Sequence, residues 1–477
     1  MSFPLFNYSY TTSKLLMAFV VFLAFACGEK EEIGPGSFGT LEFGTEIGQW
    51  PKVTHMKIDH EGSVYARLFY DDEITYSLNG HVLDLPKSSW YLVNLNPDGS
   101  LVWSYDLEYG DPNSRNAIHV TQDQKVVYST LGSYDITVLD NSGNLEVSFP
   151  TFIAPEVVTV ASSGNVIAIG KYNGSSFLWD EENGVTLRPD ANVNDYVLVA
   201  HSPDGSLLWN ATISGASDIF DVEVSGDDQI TFSGILRNKV TFYGADGVEQ
   251  ANIENKTSGD GFGFLVRYNS NGQYLWKSPT WWALGNGFSV KNFEIAIAED
   301  GNIYTAASNA SSTSNTHEDA IYIRKISRDG ADILWEDVIQ NPQDPCGDCG
   351  YFVKGFELAE NGGVVLGAES AQFNVAELGH HAFIKKYTAE GSEVWTQRIF
   401  ARRNGGEIPS GMSSLAVDPN GYIWAGGNFA GAGQRIGRGE QEFSNELFYG
   451  NVVVTKNVII TDNGGGGGNW FGKFRPN

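Results

Sequence analysis

An all-β fold is predicted by three observations. A Pro-Asp-Gly or Asn-Gly turn followed by tryptophan recurs along the chain, a second hairpin phrase alternates with it, and the composition favours strands and turns. Of 477 residues, 55 are Gly, 13 % are aromatic and only 18 % are charged, a balance poor in helix formers.

The first phrase reads NPDGSLVWSY at 96–105, SPDGSLLWNA at 202–211, NSNGQYLWKS at 269–278, SRDGADILWED at 327–337 and TAEGSEVWTQ at 388–397. A worn copy, NSGNLEVSFP at 141–150, carries Val147 in place of the tryptophan. A leading strand such as YLVNL, FLVRY or FIKKY runs into each turn, whose Pro, Asp, Asn and Gly preset or tolerate the dihedrals required. Trp103, Trp209, Trp276 and Trp395 lie four residues past the turn glycine, and Trp335 lies five past it. A near-constant offset from a turn is a constant place on a strand, so these indoles are expected to pack between repeats.

The second phrase begins at Met56, Ile118, Val158, Val222, Ile295, Phe356 and Leu415, as in MKIDHEGSVYA and LAVDPNGYIWAGG. Apolar residues fall at its first and third positions, a turn follows, and the alternation resumes. The sixth residue past the first is Gly in five copies, with Gln124 and Asp228 in the others. Period-two alternation broken by such a turn is a β-hairpin. Two hairpins make a four-stranded antiparallel sheet, which cannot bury both faces alone but can when copies stack around an axis.

Seven hairpins of this second type meet only six of the first. The chain ends NWFGKFRPN at 469–477, a leading strand that stops where its partner should follow. EFGTEIGQW at 42–50 is the expected partner, with Trp50 standing in for the missing tryptophan. The sequence therefore predicts a seven-bladed β-propeller of four-stranded antiparallel blades, the last blade closed by N- and C-terminal strands. Longer inserts occupy 69–88, 172–194, 236–260, 308–318 and 430–468, the last running into NGGGGGN. No other composition break divides residues 41–477, which are read as one domain.

At the N-terminus Lys14 precedes a twelve-residue apolar run, 15–26, too short to span a bilayer and suited to a signal-peptide core. Ala24 and Ala26 precede Cys27, and GEKEE follows. This resembles the lipobox of bacterial lipoproteins, and Glu29, Glu31 and Glu32 look like the acidic tag of surface lipoproteins in Bacteroidetes-type bacteria. The resemblance implies a signal peptide over 1–26, lipidation at Cys27, an acidic tether over 27–40 and a lipid anchor in the bacterial outer membrane, on the cell-surface or periplasmic side.

FIKKYTAEGSEVW at 383–395 and LAVDPNGYIWAGGNF at 415–429 resemble the SBBP-type β-propeller repeats of secreted bacterial proteins, and the likeness covers most of 42–477. It implies an extracytoplasmic propeller and no particular activity. DGSLLW also echoes the repeat of quinoproteins, without a marker of their cofactor pocket, so no cofactor is expected.

No G-x-S-x-G elbow, H-E-x-x-H, phosphate loop or D-x-D-x-D-G calcium loop is present, and no catalytic or metal-binding residue is assigned. Cys346 and Cys349 in DPCGDCGY are expected to form a short disulfide in an oxidising compartment, there being no second ligand pair for zinc nearby. Trp179, Trp281 and Trp282 stand outside the repeat phrases and are the candidate ligand platforms. A net charge of −28 repels phosphate backbones and argues against nucleic acid. The expected function is a cell-envelope lipoprotein acting as a non-catalytic ligand-binding or protein-interaction scaffold, with a glycan or envelope protein as partner. The alternative is an extracellular enzyme, polysaccharide lyase or quinoprotein-like, with a loop-built active site.

Overall fold

The computed structural model describes residues 40–44, 52–70, 76–78, 81–83, 85, 89–107, 118–130, 132–172, 195–255, 261–278, 288–311, 320–340, 349–372, 381–403, 406–408, 410–429, 445–449, 452–455 and 469–475. Among the described residues the chain is all-β and antiparallel, with a single helical turn at Glu360–Gly362. Each phrase is a hairpin, and paired hairpins build four-stranded sheets.

β1 (Thr40–Gly44) opens the described chain. β2 (Lys52–Ile58) and β3 (Val64–Tyr70) are followed by a small hairpin, β4 (Tyr76–Leu78) and β5 (His81–Leu83). β6 (Ser89–Leu95) and β7 (Leu101–Asp106) complete the sheet β2-β3-β6-β7. The next is β8 (Ile118–Val120), β9 (Val126–Tyr128), β10 (Asp135–Leu139) and β11 (Leu145–Pro150). β12 (Ile153–Val160), β13 (Val166–Tyr172) and β14 (Tyr196–His201) pair in order with β15 (Leu207–Val224), which is long enough to end one unit and begin another. Its second half pairs with β16 (Ile230–Tyr243); an inserted β17 (Glu249–Glu254) precedes β18 (Phe262–Tyr268) and β19 (Tyr274–Lys277).

β20 (Phe288–Ile297), β21 (Ile303–Ser311), β22 (Ala320–Ile326) and β23 (Ile333–Gln340) form a further sheet. β24 (Cys349–Leu358), β25 (Val364–Gln372), β26 (His381–Tyr387) and β27 (Glu393–Arg403) form another, with β28 (Gly406–Ile408) paired to β27. In the last sheet β29 (Ser410–Val417) pairs with β30 (Ile423–Phe429). After an inserted hairpin, β31 (Asn445–Tyr449) and β32 (Val452–Thr455), β33 (Asn469–Arg475) returns to β30, and β1 pairs with its outer edge.

The first and last described strands therefore share a sheet. Their register corrects one expectation: Phe43 stands opposite Lys473, the place held by Trp103 opposite Asn94 and Trp395 opposite Lys386. Trp50, expected there, lies outside the described residues. Phe43 follows Gly39 by four residues, the offset from Gly99 to Trp103. An aromatic at that offset, rather than tryptophan itself, marks the position.

The first strands of successive units touch in order. β2 meets β8, then β8–β12, β12–β15, β15–β20, β20–β24 and β24–β29 follow, and β29 meets β2 again. The apolar clusters lie between neighbouring sheets. Tyr65 and Leu92 pack with Ile118, Val126 and Leu139; Phe220 and Leu265 with Phe293 and Ile303; Ala416, Trp424 and Phe471 with Val53, Met56 and Val93. Trp424, expected in the core, is fully buried. Each such large side chain contributes about 1.5–3 kcal/mol on burial.

A repeated contact ties sheet to sheet. A Cβ added at Gly143, Gly272, Gly330 or Gly391 would stand 2.5–2.6 Å from the ring of Trp103, Trp209, Trp276 or Trp335 in the preceding unit. The indole N–H groups donate to the carbonyl two residues before that glycine: Trp103 to Asn141 at 3.2 Å, Trp209 to Ser270 at 2.8 Å, Trp335 to Ala389 at 3.0 Å. The cation of the leading strand donates to the same type of carbonyl, Arg267 to Arg328 at 3.0 Å, Lys325 to Ala389 at 3.2 Å and Lys473 to Pro97 at 3.0 Å. This is the physical content of the Lys, Gly and Trp in the repeat phrase.

All five long inserts connect the second strand of a unit to its third. They therefore emerge at the end where the first strands begin, while the tight turns lie at the other end. The far half of β16, paired with β17, also pairs with the first half of β15 through Ile213 and Phe242, and β31 pairs with β27 through Tyr449 and Ile399. Both inserts so cover an outer edge that would otherwise be open to other chains.

Gly330, at φ +73, and Gly247, at φ +72, both have a left-handed backbone, but nothing lies within 4 Å of a Cβ at Gly247. Gly247→Ala is expected to cost about 1–2 kcal/mol from backbone strain alone. Gly330→Ala is expected to cost about 1–3 kcal/mol more, because the new methyl strikes Trp276. Urea denaturation of the two variants measures the difference, and equal losses would mean that the indole contact carries no weight.

Candidate functional site

Cys27, Trp179, Trp281, Trp282 and Cys346 lie outside the described residues. Cys349 opens β24 opposite Gln372. The described structure instead brings together charged residues that the sequence reading passed over.

In each first strand a single residue between two apolar ones projects to the other side. In the first strands these are Lys57, His119, Thr159, Glu223 and Glu357, whereas Ala296 and Ala416, at the equivalent places, belong to the apolar clusters. Lys57 Nζ donates to Glu357 Oε1 at 3.2 Å and lies 3.9 Å from Glu223 Oε1, so β2 is tied to β24 and faces β15. Thr159 Oγ1 and His119 Nδ1 are 3.2 Å apart. Two residues upstream, His55, Asp221, Glu294 and Ser414 form a second polar level.

β2, β12, β15, β24 and β29 each carry a β-bulge at the same repeat position, just before this second level. A bulge bends its strand and re-aims one side chain. Thr54, Phe220, Lys354 and Ser413, the bulged residues of four of these strands, line the mouth of a cavity of about 290 Å³. The floor is formed by Lys57 and Glu357. A Cβ at Gly355 would meet Leu415 Cβ at 2.8 Å, so only glycine lets β24 and β29 approach this closely beside the cavity. The mouth opens at the insert-bearing end, since Thr54, Phe220, Lys354 and Ser413 stand toward the starts of their strands.

Several of these charges are committed. Asp221 Oδ2 accepts the Ile295 N–H at 2.9 Å and Oδ1 the Val222 N–H at 2.9 Å, bridging two first strands. Lys354 Nζ lies 3.0 Å from Glu369 Oε1, and Glu369 Oε2 accepts the Met412 N–H at 3.1 Å. Burial opposes the charge on Lys57, but Glu357, Glu223 and Asp221 outweigh it and hold the ammonium more firmly than usual. Burial pushes the Glu223 carboxyl up to about 8, with Lys57 offsetting part of the effect and Asp221, Glu357 and Glu294 adding to it. Burial also lowers His55 and His119 to about 3, helped by Lys57 and, for His55, by Arg67. Both imidazoles are neutral at physiological pH.

A second, more open cavity of about 340 Å³ lies at the tight-turn end, beside Ile58, Asp59, Leu358 and Asp418. Its aspartates serve the turns: Asp59 accepts the N–H groups of Glu61 and Ser63, and Asp418 those of Asn420 and Tyr422. Among the described residues no cluster of His, Cys, Asp and Glu is arranged to hold a metal.

The signal for Lys57, Glu223 and Glu357 was present in the sequence. Each occupies the polar slot between two apolar positions of the second phrase, and strand alternation sends that slot to the side away from the apolar pair.

No family model matches the chain. No curated protein matches it either. Among solved structures it is similar to a streptogramin B lyase, 11 % identical with a TM-score of 0.42, over 92 % of this chain and 98 % of that one. It is similar to the β-propeller domain of Cps50 (Swd1) from Myceliophteria thermophila, 8 % identical with a TM-score of 0.44, over 80 % and 96 %. A protein of unknown function from Bacteroides caccae is 13 % identical with a TM-score of 0.37, over 64 % and 89 %. No activity is carried over from them.

Because Glu223 takes up a proton more readily in the fold than in the unfolded chain, its contribution is greatest below pH 4.5 and declines as pH rises towards 8. His55 and His119 work in the opposite sense: their contribution is present above pH 6.5 and is lost as pH falls towards 3. Glu223→Gln removes the first dependence alone. Its melting temperature is expected to match the parent near pH 4.5 and to exceed it by about several degrees at pH 8.5. Parallel melting curves across that range would show that Glu223 titrates as an ordinary surface acid.

Proposed function

We propose that the protein is a closed seven-bladed β-propeller of the cell envelope, exported and lipid-anchored through Cys27, that binds a ligand at its insert-bearing face without transforming it. The observation that carries this reading is the chain of first-strand contacts returning from β29 to β2. It leaves a polar cavity on the axis, open at the end where all five inserts emerge. Ligand sites fall preferentially in clefts of a rigid frame whose mouths are bordered by loops. Lys57 is held by Glu357, Asp221 is saturated by backbone N–H groups, and both histidines are neutral, so most groups are positioned to hold rather than to react. A glycan or an envelope protein, with Trp179, Trp281 and Trp282 on the inserts and inter-blade connections, is the partner in this reading.

One observation favours the enzyme reading instead. A carboxylic acid still protonated at neutral pH, as at Glu223, is suited to general-acid chemistry.

Ser413→Trp, which fills the mouth, separates the two when the detergent-solubilised full chain is screened by thermal shift against glycans and small metabolites. Ligands that stabilise the parent are expected to lose at least about tenfold in affinity with the variant, and mass spectrometry is expected to show them unchanged after hours. Product formation would select the enzyme reading, and undiminished binding would place the site elsewhere. Cys27→Ala is expected to move the chain from the membrane to the soluble fraction of an exporting bacterium. Retention in the membrane would refute the anchor.

A further inference from the structure

We propose that the cavity between the first strands seats one uncharged sugar ring, held through its hydroxyls by Ser413, Ser414, Asn292 and His55. The inference rests on the binding reading above and names the ligand class for that site.

The cavity wall carries charges of both signs, and most of them are already engaged. Glu357 accepts from Lys57 at 3.2 Å, Lys354 lies 3.0 Å from Glu369, and Asp221 accepts two backbone N–H groups. An anionic ligand meets Asp221, Glu294 and Glu357 in this wall, and a cationic one meets Lys57 and Lys354. Seating an ion of either sign breaks one of these contacts or adds a like charge beside it.

The neutral polar groups are in the opposite condition. Ser414 is only 6 % exposed, lines the cavity and makes no hydrogen bond among the described residues. Ser413, next to it at the mouth, makes none either. Strand alternation would send two consecutive side chains to opposite faces, but Ser413 is the bulged residue of β29, and the bulge brings both serines to the cavity. The same device in β2 brings Thr54 and His55 to it together. Asn292 donates through Nδ2 to the Val353 carbonyl at 2.6 Å, which fixes its amide, and no described group donates to its Oδ1. The His55 imidazole has Nδ1 without a partner, and burial keeps the ring neutral, so it carries one donor and one acceptor.

This set matches hydroxyls better than other neutral groups. A hydroxyl both donates and accepts, whereas each atom of an amide does only one. Neighbouring hydroxyls of one ring accept from the two serines while donating to Asn292 Oδ1 and the Glu294 carboxylate in the same wall. Ile118, Phe220 and Leu415 give the cavity apolar surface for the C–H face of such a ring. A volume of about 290 Å³ is at the lower end for ligand sites and suits a single ring.

Saturation-transfer NMR of the detergent-solubilised full chain tests this with glucose, galactose and mannose, each beside its uronate and its 2-amino sugar. The ring is constant within each set and only the charge varies. At least one neutral hexose is expected to bind, with its uronate and its amino sugar each weaker by at least about tenfold. Ser414→Ala is expected to lower that affinity about three- to tenfold and to leave the melting temperature unchanged, because the hydroxyl has no protein partner to lose. Ser413→Ala is expected to behave in the same way. A serine with only a structural role gives the reverse, a lower melting temperature with binding intact. The methyl glycoside of the bound hexose distinguishes two sources: retained binding supports the end of a glycan as the natural ligand, and lost binding supports a free sugar. Stronger binding of the uronate or the amino sugar, affinity unchanged in both serine variants, or no hexose binding at millimolar concentration would each overturn the inference. If the hexoses are silent but a charged ligand is found whose binding Ser413→Trp abolishes, this inference falls and the binding reading stands. If nothing binds in either experiment, both fall.

Discussion

An indole laid on the turn glycine of the neighbouring sheet is the contact on which the rest depends. A four-stranded sheet of this kind has an apolar surface on each side and, among the described residues, no helix to cover either. Only another copy can cover it, and the copies must meet at a repeatable distance. The ring of Trp276 over Gly330, the indole N–H of Trp209 on Ser270 and the guanidinium of Arg267 on Arg328 set that distance through one turn. Because the donor comes from one sheet and the acceptor from the next, the interaction does nothing for a sheet alone. It makes neighbouring sheets mutually dependent.

Stacking in this way brings the first strands together along a common line, as their successive contacts from β2 round to β29 show. Their alternation leaves one side chain in two facing away from the apolar clusters and towards that line. Charges so placed cannot spread into bulk water and must find each other: Lys57 reaches Glu357, Thr159 meets His119, and Asp221 turns to the backbone of β20. The shared direction of the first strands then decides where the cavity opens. Tight turns gather at one end and every long insert leaves at the other, so the mouth and the inserts are brought to the same face without a dedicated motif.

What was legible in the sequence follows from range. Hairpins are local, and alternation plus a turn residue revealed them even in worn copies. Gln124 and Asp228 keep φ of 62° and 59° where the other copies place glycine. The sharing of a sheet by both ends of the chain was also legible, because one phrase lacked its partner. Its register was not: Phe43 is recognisable only opposite Lys473, whereas a search for tryptophan stops at Trp50. The inserts at 236–260 and 430–468 showed as excess length, but nothing local says that β16 returns to β15 or β31 to β27. The site is the extreme case. Lys57, Glu223 and Glu357 each look like an ordinary solvated strand residue, and their meaning appears only when distant strands converge.

One ammonium between two carboxylates cannot satisfy both. Lys57 is at hydrogen-bonding distance from Glu357 and beyond it from Glu223, and with both imidazoles neutral no other cation of that polar level is at hand. In bulk water the second carboxylate would be hydrated and ionised. Buried where the first strands converge, with Asp221, Glu357 and Glu294 adding repulsion, the Glu223 carboxyl holds its proton more firmly than usual.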